Sequence, residues 1–211
     1  MTPPSIDSSR LGFSLEQIIS GRRSVRRFRP DPVDRALLLQ LIEAARWAPS
    51  PHGRQPWRFV VIESQATKDR LSEAMGAEWE QQLALDGEDQ QRVAERLRIS
   101  KLRIQSAPAI ILPCLFLAEM DAYPDPTRQQ AEQIMAIQSL GCAIQNMLLQ
   151  AYALGLDTGW MCAPLFCPSV VQSALDLDAS LTPHALIPVG YAAADPNRRP
   201  HKPVEELTLW R

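Results

Sequence analysis

Apolar residues recur at helical spacing in residues 31–48, where Leu37, Leu38, Leu41, Ile42 and Ala45 fall on one face. That predicts an amphipathic helix, ended before Pro49 and Pro51 because a proline disfavours helical geometry in the residue ahead of it. Residues 14–20 (SLEQIIS) predict a short helix with Ser14 as N-cap and Gln17 three positions on. Residues 57–63 (WRFVVIE) and 107–118 predict strands, the second buried and rich in Ile and Leu. Residues 67–85 and 88–106 predict polar amphipathic helices, and 120–127 a loop. Residues 128–154 predict a long, mostly apolar helix closed by Gly155. Its Gly141 and Ala143 would let a second helix approach closely, in the core or across a homodimer. Residues 157–161 predict a short strand, 168–175 a helix and 185–192 (ALIPVGYA) a buried strand; the tail is polar and Pro-rich, with a short apolar end. Long helices among few strands imply an α+β or three-layer arrangement around one sheet.

At 211 residues the chain suits one domain, expected over residues 14–211 behind a flexible arm of residues 1–13. No apolar run has the length of a membrane span, and the N-terminus lacks the basic start and apolar core of a signal peptide. The four cysteines, Cys114, Cys142, Cys162 and Cys167, form no CxxC pair and read as buried free thiols in a reducing cytoplasm. The three histidines are far apart in sequence, so metal-ligand spacing is absent. With a net charge of -2, basic charge is a local feature, which argues against a general nucleic-acid binder.

The local feature is RRSVRRFR, residues 22–29, with five arginines in eight residues. Guanidinium groups bind phosphate through paired, charge-assisted bonds, and a cluster of them repels itself unless an anion is present. In an extended chain Arg22, Ser24 and Arg26 share one face while Val25 points to the core. That is a sensible site for a small phosphate. The segment alone also fits a solvated loop paired to Glu16, Asp31 or Asp34, or a short basic motif bound by a partner. Downstream, APSPHGRQPWRFVVI (residues 48–62) places a tight Pro-Ser-Pro-His-Gly loop between helix and strand, a common location for binding residues.

In this order the two segments resemble the FMN-dependent nitroreductase family. The likeness is specific at Arg22-Arg23-Ser24-Val25-Arg26-Arg27-Phe28, at Ala48-Pro49-Ser50 and at Gln55-Pro56-Trp57-Arg58-Phe59-Val60. It continues through GCAIQNMLLQAYALGL and GWMCAP to Gly190-Tyr191 and Lys202-Pro203. Gly53 stands where the family usually has Asn, and His201 where it often has Arg. Trp79, Leu85-Asp86-Gly87, Tyr123-Pro124-Asp125, Arg128, Ala131-Glu132 and Pro51-His52 also resemble the flavin domain of the two-domain enzymes that mature the deazaflavin coenzyme.

The resemblance implies a three-layer fold, a mainly antiparallel sheet flanked by helices, in a cytoplasmic homodimer with two FMN molecules at the interface. Arg22, Arg23, Ser24, Val25 and Arg26 would form the cofactor segment, with Val25 turned to the core. Pro49, Ser50 and Pro51 of the other subunit would lie by the flavin, and the backbone of Met161, Cys162 and Ala163 would face it. Arg199 or Lys202 would complete the phosphate site, with Arg198 and His201 as other candidates. His52, Trp79 and Tyr123 are candidate substrate contacts. From the surrounding pattern Cys162 reads as a packed thiol, Trp160 as core and Tyr191 as packed beside the last strand. The implied activity passes hydride from NAD(P)H through FMN to an electron-poor acceptor (nitroaromatic, quinone or conjugated metabolite) in ping-pong fashion. It needs no catalytic side chain and no metal. A reductase of a deazaflavin-coenzyme precursor and a non-catalytic flavin-binding protein are the alternatives.

Overall fold

The second strand is the axis of the fold. In the computed structural model, which describes residues 10, 12–194, 196 and 200–211, β2 (Ala109–Phe116) pairs along one edge with β1 (Trp57–Ile62). Its other edge pairs with β5 (Ile187–Gly190) and, further along, with β4 (Leu181–Pro183). β3 (Asp157–Thr158) pairs with β5, giving the order β1-β2-β5-β3, and each ladder is antiparallel. Pro113 sits where that edge of β2 changes partner from β5 to β4. A proline has no N–H to give a ladder, so the changeover is where it costs least.

Alternation along β2 divides the core in two. Ala109, Ile111 and Leu115 meet α2 (Arg35–Arg46) and α5 (Pro126–Ala153) on one face. Ile110, Leu112 and Cys114 meet α3 (Gln65–Leu85), α4 (Gln90–Gln105) and α6 (Pro168–Leu175) on the other. The result is three layers, as side chains of period two dictate for a strand covered on both faces. α1 (Leu15–Gly21) touches α5 and begins with the expected capping box, Ser14 and Gln17 each bonding the other's backbone N–H. Asp34, Ser64, Asp89 and Asp125 cap α2, α3, α4 and α5 with side-chain oxygens. Each such cap stabilises its helix by about 1 kcal/mol.

Several boundaries differ from the sequence reading. α5 starts at Pro126 because Asp125 caps it and proline suits the first helical turn. β3 is two residues long, and Met161 makes a separate bridge to Leu186. β4, three residues including a proline, was not anticipated. Single-turn helices occur at Pro51–Gly53, Ala163–Phe166 and Val204–Leu207. At the end of the expected arm, the Arg10 guanidinium donates to Asp157 Oδ1 at 3.1 Å and lies over the Tyr152 ring. No helix among the described residues is long and apolar enough to cross a membrane.

Candidate functional site

The arginine segment is held by its backbone and by two buried apolar side chains. Ser24 bridges Thr158, the Val25 N–H donates to Thr158 O at 2.8 Å, and the Arg29 N–H donates to Tyr191 O at 2.8 Å. The Ala193 N–H donates to Arg27 O at 3.0 Å. Val25 and Phe28 enter the same core as Met75, Ile104 and Leu186. Burying each contributes about 1.5–3 kcal/mol. The expected alternation holds through Arg26, with Ser24 and Arg26 exposed and Val25 inside. It then breaks, because the chain leaves β3 and re-pairs with residues 191–193; Phe28 turns inward and Arg27 stays out. Gly159 permits this close contact, since a Cβ there would lie 2.6 Å from Val25 O.

With the backbone anchoring the segment, the side chains of its cations take different roles. Arg29 pairs with Asp31 at 3.1 Å, one of the partners the solvated-loop reading expects. Arg23 turns back to α1, donating to Ser20 O at 2.6 Å and to Arg22 O at 2.7 Å, which commits it to a helix end. Arg22 and Arg26 have no carboxylate partner among the described residues. Burial holds the half-buried Arg22 guanidinium below its ordinary pKa, and repulsion from Arg23 adds to this. The same holds for Arg103 in the last turn of α4, lowered first by burial and then by Arg26. Guanidinium pairs that repel each other, Arg22 with Arg23 and Arg103 with Arg26, fit a bound anion. Arg103 was missed in the sequence because it resembles the other arginines of a polar helix; its distinction is its position beside Arg26.

The Pro49–Ser50–Pro51 loop is held differently. His52, Gly53 and Gln55 have φ of 51°, 67° and 53°. Each non-glycine residue in that left-handed region costs about 1 kcal/mol or more. Ser50 curls the loop on itself: its carbonyl accepts the Gly53 N–H at 3.2 Å and its hydroxyl the Gln55 N–H at 3.1 Å. Gly53 at positive φ is well suited to the place where the family usually carries Asn. Arg54 donates to Asp121 Oδ1 at 2.6 Å, and His52 Nε2 lies 3.8 Å from Asp121 Oδ2.

Met161, Cys162 and Ala163 follow β3 on the same sheet edge as the arginines, with Cys162 and Ala163 exposed. The loop lies across the sheet. It enters β1 at Trp57, whereas the arginine segment, through Thr158, Val189 and Ala109, lies one residue past the far end of β1 at Ile62. Four strand steps separate the two edges, roughly 19 Å. One chain therefore places Arg22, Ser24, Arg26 and Met161–Ala163 along one sheet edge, with Arg103 near Arg26, and the Pro49–Pro51 loop across the sheet from them.

Other expectations need correction. Cys142 and Cys162 are exposed, whereas Cys114 and Cys167 are buried; all four are free. Trp160 is 38% exposed, since its bridge neighbours lie at a sheet edge. Tyr191 is buried beneath Arg29, as expected of a residue beside the last strand. Trp79 on α3 lies under Arg96 of α4, and Tyr123 before α5 lies under Arg128. One turn past Trp79, Gln82 reaches Phe166 O, so this part of α3 borders the turn after Ala163. Arg198 and Arg199 lie outside the described residues; His201 and Lys202 are exposed, with no hydrogen bond or ion pair among the described residues.

Comparison with known proteins extends these observations. The pattern of the nitroreductase family matches residues 19–191. An NADH dehydrogenase of Thermus thermophilus is 33% identical over 90% of this chain and 92% of its own. The crystal structure of a BluB-like flavoprotein of Clostridium difficile superposes with a TM-score of 0.81 at 23% identity, covering 95% of this chain and all of that one. That of the FMN-dependent nitroreductase NfnB of Mycobacterium smegmatis, in complex with NADPH, gives 0.72 at 22% identity over 93% and 97%. The fold, the family pattern over most of the length and a relative at one-third identity agree: the chain belongs to the nitroreductase family.

Proposed function

We propose that this protein is an FMN-dependent NAD(P)H oxidoreductase acting as a homodimer. The observation that carries the reading is that Arg22 and Arg26 have no carboxylate partner among the described residues, on the segment bridged to β3 just ahead of Met161–Ala163, with Arg103 of α4 close enough to Arg26 to repel it. FMN, when bound, supplies hydride transfer between NAD(P)H and an electron-poor acceptor. Arg22 and Arg26 would hold its anionic groups, with the Ser24 hydroxyl and Arg103 as further donors. Fixed cations also favour negative charge developing beside them, at no cost in reorganisation. Met161 is tied to Leu186 through both its N–H and its C=O, and the exposed Cys162 and Ala163 beyond it would face the cofactor. Arg199 and Lys202 remain candidates for its phosphate end. His52, Trp79 and Tyr123 border the acceptor.

Two features support the homodimer. The arginine edge and the Pro49–Ser50–Pro51 loop are too far apart in one chain to enclose a single site, so the loop serves the site of a second copy. The outer surface of the α2 and α5 layer also exposes Leu39, Trp47, Ile134 and Ile137. Four free thiols suit a reducing cytoplasm.

Purified protein should carry about one FMN per chain and bleach anaerobically with NADH or NADPH. A protein that cannot be loaded with FMN overturns the proposal. Bound FMN that neither nicotinamide reduces would instead favour a flavin-binding protein without turnover.

A further inference from the structure

Asp121 belongs to neither part of the site described above, yet the loop rests on it. The end of β2 and the entry to β1 are drawn together by the Trp57–Leu115 pairing and by the Phe116 N–H donating to Pro56 O at 3.2 Å. Residues beyond β2 then fold back over the loop before β1. One ion pair joins them, Arg54 to Asp121 at 2.6 Å, and a second, Arg58 to Glu119 at 3.0 Å, ties the start of β1 to the same returning residues. The second Asp121 oxygen lies 3.8 Å from His52.

The bonds from Ser50 set the curl of the loop without fixing it to anything else. Among the described residues, the Arg54–Asp121 contact is the hydrogen bond that ties residues 50–54 to another loop. It does so from the residue after Gly53, where the backbone is left-handed and has other conformations open to it, while His52 on the other side lies beside the same carboxylate beyond hydrogen-bond distance. We infer that Asp121 is a positioning residue, whose carboxylate spans His52 and Arg54 and holds the Pro49–Ser50–Pro51 loop in the shape in which it meets the partner's site. The consequence for nicotinamide binding rests on the flavin-enzyme reading above; the hold on the loop does not.

The test compares FMN-loaded wild type with Asp121→Asn and, because that variant could fold poorly, with Arg54→Gln. Hydrogen exchange of residues 50–56 reads the loop directly. Rapid-mixing reduction by NADH, followed at the flavin band, gives the apparent Kd and the limiting rate. Both variants should exchange faster across the loop, retain FMN, and raise the apparent Kd for NADH about fivefold, as expected for losing an ion pair of this kind. Unchanged exchange in both variants overturns the inference. Faster exchange with an unchanged Kd also overturns it, because the contact is then only structural. A wild type that is not reduced by NADH or NADPH overturns the functional reading instead, and that result is seen before any variant is made.

Discussion

The arginine segment and the Pro49–Ser50–Pro51 loop are both irregular stretches at a sheet edge, but they are built in opposite ways. The first is fixed by main-chain bonds to Thr158 and Tyr191 and by the buried Val25 and Phe28. Arg23 and Arg29 are spent on Ser20 and Asp31, but Arg22 and Arg26 keep no carboxylate partner among the described residues. The second uses its side chains on itself: Ser50 closes the curl, while Arg54 and His52 reach Asp121. A segment that grips a ligand must keep its donors unspent, whereas a surface that merely faces one has to keep its shape. The contrast agrees with the roles proposed, cations for an anionic cofactor and a shaped wall supplied by a second copy.

The largest expected effect breaks the first region alone. Arg22→Ala with Arg26→Ala should weaken FMN binding by about 3 kcal/mol, the scale of lost charged hydrogen bonds, and fluorescence titration reads it. Unchanged affinity would show the cluster to be surface decoration. That variant also tests whether the two regions serve one site from two chains. Mixed and re-paired with a chain whose residues 50–53 are all glycine, it should recover roughly a quarter of wild-type turnover, because half of random dimers hold one intact site. No recovery would place both regions in the same chain's site.

Gly159→Ala acts on the fit between β3 and the arginine segment. Its Cβ would meet Val25 O at 2.6 Å, so folding stability should fall by about 1–3 kcal/mol, read by thermal melting, and FMN affinity should fall with it. Ser50→Ala is its counterpart in the loop. Loss of the bond to the Gln55 N–H should cost about 1 kcal/mol and speed exchange at that amide, with FMN affinity in the same chain's arginine site untouched. The smallest effect has split signs. Arg103→Gln relieves repulsion with Arg26, so the flavin-free protein should keep its stability or gain up to about 0.5 kcal/mol, while FMN binding weakens. A parallel loss of both would mean that Arg103 serves packing only.

Much of this was legible before the fold was known. The Leu37–Leu38–Leu41–Ala45 stripe is buried as its period requires, and the Ser14–Gln17 box is present. Val25 faces inward with Ser24 and Arg26 outward. Local rules reached that far because each depends on neighbours within a turn or a pleat. They stopped at Phe28, where the chain changes pairing partner, and at Arg103, which becomes distinctive only when α4 ends beside Arg26. Trp160, Cys142 and Cys162 look like core residues by composition, but they lie on exposed surface. Asp121 shows no motif at all; its link to residues 52 and 54 comes from the return of one loop over another.

The bridge between Ser24 and Thr158 has one more consequence, for colloidal behaviour. An open strand edge is a template on which further chains can add, and cells tolerate such edges when they are short, covered or charged. β3 is covered by residues 24–28, and the outermost layer is itself studded with Arg26, Arg27 and Arg29. Arg26, proposed to hold a cofactor, and the exposed Arg27 beside it also repel the like-charged edge of a neighbouring copy. Replacing those arginines with neutral residues would therefore leave the sheet open to growth, and the protein would be lost to precipitation as well as to weakened binding.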